Sequence, residues 1–260
     1  MAKYLITGAN GGMGRAICKA LTAAGDKVWG IDKVPDGSAR VIAADLTDSG
    51  SLEAAFEQVR AEAGALDGII HAAGIYDLFS LAEISEDAIT RDFNVNLFGV
   101  YRVNKLFLPL LNENSRVVII SSELAPLEPL PFTGVYAVTK AALEKYAAAL
   151  RMELQLLGHK VVVVRPGAVK TDMLPASVDK LERFCAETRL YPVNAERFRK
   201  IVDRVEARNV PPEKLAKKVT RALKARRPRL VYKINRNPLL LMLNALPKRM
   251  QLWVIRKAIG

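Results

Sequence analysis

Short apolar runs alternate with longer helical patterns along the first two-thirds of the chain. The runs are rich in Val and Ile and apolar on both faces, which is typical of strands covered by helices on both sides. We predict seven strands, at 3–7, 27–32, 40–44, 67–73, 116–121, 160–165 and 230–233. Apolar positions at helical spacing predict helices at 13–24, 51–62, 86–111, 135–157 and 213–225. This alternation indicates a doubly wound α/β fold with a mainly parallel sheet and helices on both faces.

The pattern changes after residue 170. Residues 171–208 are charged and helix-prone, and Pro211 and Pro212 separate them from a short amphipathic helix. A Leu-rich and basic segment ends the chain. Neither a linker nor an internal repeat is visible, so the 260 residues are predicted to form one domain.

Composition is that of a soluble globular protein, with 50% hydrophobic and 25% charged residues. The two cysteines, Cys18 and Cys185, lie far apart and lack metal-ligand spacing. We therefore expect no disulfide framework, no metal site and a reducing, cytoplasmic location. The first strand begins too early to leave room for a signal peptide, and no apolar run is long enough to span a membrane.

Net charge is concentrated at one end of the chain. The formal charge is +12, yet residues 213–260 hold 14 Lys/Arg and one acidic residue, while residues 1–212 hold 25 basic and 26 acidic residues. No basic stripe runs along the main body, which argues against nucleic-acid binding.

A glycine-rich turn follows the first strand and opens a helix. Glycine permits positive φ and lets the backbone approach a pyrophosphate, and the helix N-terminus favours the negative charge. The glycines are spaced G-x-x-x-G-x-G. The candidate cofactor-binding residues of this turn are Gly8, Asn10, Gly11, Gly12, Met13 and Gly14.

Asp32 ends the second strand, 18 residues after Gly14. A carboxylate at this place accepts hydrogen bonds from the ribose hydroxyls of the adenosine half and repels a 2′-phosphate. NAD(H) is therefore favoured as the cofactor. The neighbouring cation Lys33 weakens that repulsion, so NADP(H) stays an alternative.

Tyr136 and Lys140 are four residues apart at the start of a helical pattern, which places them on one helix face. A nearby ammonium favours the phenolate, so we expect Lys140 to lower the pKa of Tyr136. Ser122 ends the preceding strand, 14 residues before Tyr136, where its hydroxyl can hydrogen-bond a substrate oxygen.

From residue 3 to about residue 175, these motifs resemble the short-chain dehydrogenase/reductase family. The resemblance implies a Rossmann-type domain of 1–260, with a cofactor and catalytic core at 1–170. It adds adenine contacts at Asp45 and Leu46. His71-Ala72-Ala73-Gly74 stands where the family usually has Asn-Asn-Ala-Gly, and the family's active-site asparagine falls on Asn96. The segment that encloses the nicotinamide is identified at Pro166, Gly167, Val169 and Thr171.

The resemblance also implies the catalytic roles. Tyr136 would be the general acid/base, Lys140 would tune it and hold the nicotinamide ribose, and Ser122 would orient the reacting oxygen. Asn96 would hold a water that links Lys140 to solvent. Ala72, Ala73 and Gly74 would line the cofactor.

From Val210 onwards, the chain resembles family members that act on retinoids, steroids and related lipids. The residues that carry this resemblance are Pro211-Pro212-Glu213, Ala225-Arg226-Arg227-Pro228-Arg229 and the Leu-rich run that ends at Leu246-Pro247. The resemblance implies substrate-side helices at 171–228, then a last strand and a basic, Leu-rich tail at 229–260 that caps a lipophilic secondary alcohol or ketone. The resemblance also implies a homo-oligomer, a dimer or tetramer. Basic residues beside apolar ones in the tail suit the surface of an anionic membrane, with a packed lid or a subunit contact as the alternative. Alternative functions are a catalytically weak NAD(H)-binding regulator and a reductase of small polar or acyl-thioester substrates.

Overall fold

Seven strands form one parallel sheet in the part of the chain that the structure describes. The computed structural model describes residues 1–35, 40–171, 173–206 and 208–260, with side chains at all of these except 173–177 and 204–206. The strands are β1 (Lys3–Thr7), β2 (Lys27–Asp32), β3 (Val41–Ala43), β4 (Leu66–His71), β5 (Leu111–Ile120), β6 (Lys160–Pro166) and β7 (Val231–Ile234). Their order is β3-β2-β1-β4-β5-β6-β7, and every neighbouring pair is parallel. The predicted doubly wound α/β fold is confirmed.

Helices cover both faces of this sheet. They are α1 (Gly12–Ala23), α2 (Ser49–Ala63), α3 (Glu86–Phe93), α4 (Gly99–Phe107), α5 (Gly134–Leu154), α6 (Met173–Glu187), α7 (Pro192–Glu206), α8 (Pro212–Lys224), α9 (Pro238–Ala245) and α10 (Lys248–Ile259). Apolar side chains of α1 and α8 pack on one face, and those of α2, α4 and α5 pack on the other. The strands are apolar on both sides because both sides are buried.

The largest differences from the predicted boundaries are in β5, β4 and the helix between them. β5 begins at Leu111, not at residue 116, because Leu111 pairs with Leu66 ahead of a register shift in the β4–β5 ladder. β4 ends at His71, so residues 72 and 73 leave the sheet. The helix predicted over 86–111 is interrupted by a π-helical turn at Asn94–Phe98 and ends in a 3₁₀ turn at Leu108–Leu110.

The strand order reverses between β1 and β4. In open parallel sheets, ligands bind outside the carboxyl ends of the strands at such a switch point. The glycine turn follows β1, residues 72–74 follow β4, Ser122 follows β5 and Gly167 follows β6. The fold therefore brings the candidate site residues to one edge of the sheet.

A separate apolar cluster packs α6, α7 and α10 against the segment after β4. Its buried members are Leu78, Leu181, Phe184, Ala195, Phe198 and Ile259. These helices form a cap beside the carboxyl edge of the sheet. Within the described ranges, no helix is both long and apolar enough to cross a membrane.

Candidate active site

Two adjoining cavities open at the carboxyl edge of the sheet. The larger one, of about 1300 Å³, is here called the cleft, and the smaller one, of about 190 Å³, the pocket. Candidate residues that line the cleft are Gly8, Asn10, Gly11, Gly12, Met13, Gly14, Asp32, Lys33, Asp45, Leu46, Ala72, Ala73, Gly74 and Thr171. Those that line the pocket are Met13, Ala72, Ala73, Gly74, Ser122, Tyr136, Lys140, Pro166, Gly167, Val169 and Thr171. Because several residues line both the cleft and the pocket, the two cavities are continuous.

Gly8 and Gly14 of the glycine turn have no room for a side chain. Gly8 has a φ of +70°, and a Cβ on it would come within 2.6 Å of the amide nitrogen of Ala73. A Cβ on Gly14 would overlap the carbonyl oxygen of Gly8. No described side chain caps the first turn of α1, and that turn carries no acidic residue. Its amide groups are therefore available to a pyrophosphate, and the turn fits a dinucleotide.

The end of β2 presents a carboxylate to the cleft. Asp32 accepts hydrogen bonds from the backbone amides of Asn10 (2.9 Å) and Val34 (3.2 Å). The ammonium of Lys33 instead forms an ion pair with Asp45, at 2.9 Å, and lowers the pKa of Asp45 to about 2. The charge of Lys33 is thus directed to Asp45 and not to Asp32.

Ser122, Tyr136 and Lys140 meet in the pocket. Both Ser122 and Tyr136 line the pocket, and the hydroxyl of Ser122 is close enough to lower the pKa of Tyr136. Helix α5 holds Tyr136 and Lys140 one turn apart, with the ammonium of Lys140 5.7 Å from the centre of the tyrosine ring. Lys140 donates a hydrogen bond to the carbonyl of Ile120 at 3.4 Å. The strand end and the helix start are brought together as the sequence spacing predicted.

The electrostatics of this group differ from the expectation. Burial raises the pKa of Tyr136 above its ordinary value, the hydroxyl of Ser122 lowers it, and the charge of Glu123 raises it. Burial lowers the pKa of Lys140 to about 8. The expected fall in the pKa of Tyr136 was wrong because desolvation of the phenol dominates. Tyr136 therefore carries its proton at neutral pH.

Asn96 lies behind the wall that the two cavities share. It is fully buried in the π-helical turn, where its amide accepts a hydrogen bond from the nitrogen of Ile75 (2.9 Å) and donates one to the oxygen of Ile75 (3.0 Å). A Cβ on Gly74 would lie 3.1 Å from the amide oxygen of Asn96 and 3.2 Å from the ammonium of Lys140. The two polar groups thus approach the same glycine.

His71 faces away from both cavities. Its Nε2 is 2.8 Å from the amide oxygen of Asn104, and Asn104 in turn donates to the hydroxyl of Tyr146 at 3.0 Å. Since an amide oxygen only accepts, Nε2 carries the proton. Burial lowers the pKa of His71 to about 4. The residue that replaces the family's usual asparagine is therefore part of the packing between β4, α4 and α5.

The structure adds residues that the sequence analysis did not assign to the site. The ring of Tyr76 packs edge-on against that of Tyr136, with centroids 4.7 Å apart. Lys180 of α6 donates to the carbonyl of Tyr76 at 2.9 Å and so joins the cap to this wall. Tyr76 lies in the segment that follows the end of β4. An inspection of the residues after each predicted strand would have found it.

Six further apolar side chains line the pocket. They are Leu124, Leu130, Phe198, Ile201, Val202 and Leu240. Of the tail residues expected to cover a ligand, Leu240 reaches the pocket, whereas Leu239 and Met242 are exposed. Among the described residues, no group of three His, Cys, Asp or Glu side chains is placed to hold a metal ion. The expectation of no metal centre stays a prediction.

Comparison with known proteins gives consistent results. The pattern of the family described as short chain dehydrogenase matches residues 3–182. The chain is 29% identical to the 3-ketodihydrosphingosine reductase of Bacteroides thetaiotaomicron, over 97% of this chain and 96% of that protein. It is 31% identical to estradiol 17-beta-dehydrogenase 2 of Mus musculus, over 69% of this chain and 51% of that protein.

The fold also matches solved structures. The 3-ketoacyl-(acyl-carrier-protein) reductase of Brucella melitensis, in complex with NADH, superimposes with a TM-score of 0.73 at 20% identity, over 90% of this chain and 97% of that one. Such an identity supports a common fold and no more, whereas the family pattern covers more than half of the chain. The chain therefore belongs to the short-chain dehydrogenase family.

Proposed function

We propose that this protein reduces a ketone on a lipophilic molecule to a secondary alcohol, with NADH as the hydride donor. The observation that carries the proposal is the convergence of Ser122, Tyr136 and Lys140 in a pocket with apolar walls. The names of two relatives, a 3-ketodihydrosphingosine reductase and an estradiol dehydrogenase, support a lipophilic substrate.

The chemistry follows from the placement of these side chains. The nicotinamide, when bound, supplies the hydride. Tyr136 donates its proton to the developing alkoxide, and the hydroxyl of Ser122 stabilises that oxygen by a hydrogen bond. The protonated form of Tyr136 is the form that donates in the direction of reduction. Lys140 supplies positive charge beside the phenol, and Asn96 holds the wall at Ile75.

The cofactor assignment rests on the cleft. The backbone of Gly8 and the start of α1 would hold the pyrophosphate, and Asp32 would accept hydrogen bonds from the adenosine ribose. Pairing of Lys33 with Asp45 supports NAD(H) over NADP(H), because it directs the charge of Lys33 away from Asp32. An NADH complex of a protein with the same fold is consistent with this choice.

The decisive experiment is a substrate panel. Long-chain 3-ketones, ketosteroids, acyl thioesters and sugars are each supplied with NADH or NADPH, and oxidation is followed by absorbance. Turnover is expected for the long-chain or steroid ketones. Tight NADH binding with no turnover on any substrate would indicate a regulatory binding protein, and turnover limited to thioesters or sugars would refute the lipophilic assignment.

We also propose that the tail contacts an anionic lipid surface. In α9 and α10, Leu239, Met242, Leu252 and Trp253 are each at least 60% exposed. Lys248, Arg249, Arg256 and Lys257 all lie on α10 and are also exposed. Apolar side chains beside cationic ones complement acyl chains and anionic headgroups. The proposal is supported by this chemical match between the side chains and the lipids, and co-sedimentation with vesicles tests it.

Assembly into a dimer or tetramer is a further part of the proposal, since the family resemblance implies it. Light scattering of the purified protein measures the mass in solution. A mass near 28.6 kDa would show a monomer and refute it.

A further inference from the structure

A carboxylate is built into the wall of the pocket, among side chains that are mostly apolar. Glu123 directly follows Ser122 and is 7% exposed. Of the described residues that line the pocket, it is the one acidic residue, and Lys140 is the one amine. An isolated ionised carboxylate in such surroundings carries a large desolvation cost unless cations or several hydrogen-bond donors surround it.

The hydrogen bonds of Glu123 leave half of that carboxylate without a donor. Its backbone amide donates to the carbonyl of Pro166 at 2.8 Å, which fixes the start of the side chain. Oε2 accepts a hydrogen bond from the backbone amide of Asn237 at 2.7 Å. Oε1 lies against Gly167, where a Cβ would come within 2.7 Å of it. No hydrogen bond between described residues reaches Oε1.

We propose that Glu123 recognises a protonated amine on the substrate, bonded to a carbon close to the one that is reduced. The proposal rests on the proposed function and narrows its substrate class to long-chain amino ketones. An ammonium supplies both the missing hydrogen-bond donor and the compensating charge, and such charge-assisted hydrogen bonds are about twice as strong as neutral ones.

The location of Glu123 sets the position of the amine. Glu123 lines the same pocket as Ser122 and Tyr136, and its charge raises the pKa of Tyr136, so the carboxylate lies close to the groups that hold the reacting oxygen. The amine therefore belongs within a few bonds of the carbonyl carbon, while the hydrocarbon chain follows the apolar wall at Phe198, Ile201 and Leu240.

The reaction leaves the amine unchanged. The carbonyl carbon gains a hydride, the carbonyl oxygen gains the proton of Tyr136, and NADH is oxidised to NAD⁺. Burial raises the pKa of Glu123 above its ordinary value, whereas Arg236 lowers it. A substrate ammonium acts in the same direction as Arg236 and stabilises the ionised carboxylate as the complex forms.

An alternative role for Glu123 is only to hold α9. Asn237 is the N-cap of α9 and accepts a hydrogen bond from the amide of Leu239 at 2.9 Å, so Glu123 also fixes the helix that carries Leu240. Glu123→Gln separates the two roles. The glutamine oxygen can still accept from Asn237, but the negative charge is gone.

The test compares three ketones of equal chain length: a 2-amino-3-ketone, its N-acetyl derivative and the 3-ketone without nitrogen. The wild-type protein should prefer the free amine, with kcat/KM at least about 10-fold above that for the other two. Glu123→Gln should reduce this ratio by about 10- to 100-fold, the usual worth of a hydrogen bond to a charged group. Glu128→Gln, an exposed acid of the same loop, is the matched control and should keep the wild-type ratio.

Two results would overturn the proposal. One is an equal kcat/KM of the wild-type protein for the free amine and for its N-acetyl derivative. This result does not depend on the folding of any variant. The other is an equal loss on all three ketones in Glu123→Gln, which would leave only the role in holding α9. If no ketone is reduced, the proposed function fails, and calorimetric binding of the 2-amino-3-alcohol and of the 3-alcohol to both proteins then decides the recognition. Equal affinities for the two alcohols would refute it.

Discussion

Tyr136 is a half-buried phenol that keeps its proton at neutral pH. Tyr136→Phe removes that proton but retains the ring that packs against Tyr76. We expect turnover to fall by about 10²- to 10⁴-fold, the usual contribution of general acid catalysis, with NADH affinity unchanged. Stopped-flow reduction and a fluorescence titration of NADH measure the two quantities.

A second tyrosine of α5 provides the control for this prediction. The hydroxyl of Tyr146 is bonded to Asn104 and lines neither cavity. Tyr146→Phe should keep wild-type turnover. If Tyr136→Phe were as active as this control, the proton would come from another group.

His71 gives the fold a sensitivity to acid. Burial lowers its pKa from an ordinary value near 6.5 to about 4, so the folded protein binds the proton less readily than the unfolded chain. Stability is therefore lost as pH falls below about 6.5 and continues to be lost down to about 4. Between pH 7 and pH 5 this residue should cost about 2 kcal/mol of unfolding free energy.

His71→Gln tests this prediction because the glutamine Nε2 can still donate to Asn104. Urea unfolding at pH 7 and at pH 5 gives the free energies. The wild-type protein should lose about 2 kcal/mol more than the variant over this interval. Parallel losses in the two proteins would show that His71 is not responsible.

Among the secondary-structure elements, β2 ends in the carboxylate to which we attribute the proposed preference for NAD(H). Asp32→Ala should weaken NADH binding by about 10- to 100-fold, because charge-assisted hydrogen bonds to the ribose are lost. It should weaken NADPH binding less, since repulsion of the 2′-phosphate is relieved. Equilibrium titration of both cofactors gives the ratio.

Lys33→Ala is the companion variant at the end of β2. The ammonium of Lys33 is paired with Asp45, so its removal should leave NADH preferred. Tighter binding of NADPH than of NADH by the unmodified protein would contradict the role given to Asp32.

Secondary structure with a local cause was predictable from the sequence. The strands are short Val- and Ile-rich runs, and the tight glycine turn requires residues without a side chain. Both signals lie within a few neighbouring residues, so both could be predicted. The π-helical turn at Asn94–Phe98 could not, because it accompanies hydrogen bonds between Asn96 and Ile75, 21 residues away. The bond of Glu123 to Asn237 spans 114 residues and likewise leaves no local pattern.

At the scale of the whole molecule, the charge asymmetry predicts salt-dependent binding to anionic vesicles. Each basic residue near such a surface is worth about 1 kcal/mol, and salt screens the attraction. At low salt, the protein should co-sediment with vesicles that contain phosphatidylserine, and it should dissociate from them as the salt concentration rises. It should not bind neutral vesicles. Equal binding to both vesicle types at all salt concentrations would refute the lipid contact.

The structure also selects the variants for this experiment. Removal of residues 238–260 would delete Leu240 from the pocket and Ile259 from the core. Loss of vesicle binding by the truncated protein would then not distinguish a lost lipid contact from a loss of folding. Replacing the exposed Leu252 and Trp253 by serine leaves the pocket and core residues in place and should weaken vesicle binding. Serine at Leu156 and Leu157, equally exposed on the turn after α5, is the matched control and should bind normally.

Helix α9 has one residue, Leu240, in the pocket wall and two others, Leu239 and Met242, on the outer surface. A helix is only about 10 Å across, so a lipid surface against its outer side would lie within one helix diameter of the reacting groups. The relevant substrate concentration would then be a mole fraction in the bilayer. Adding inert lipid at constant total substrate would slow the reaction by surface dilution, whereas a protein that takes its substrate from water would respond only to the free concentration.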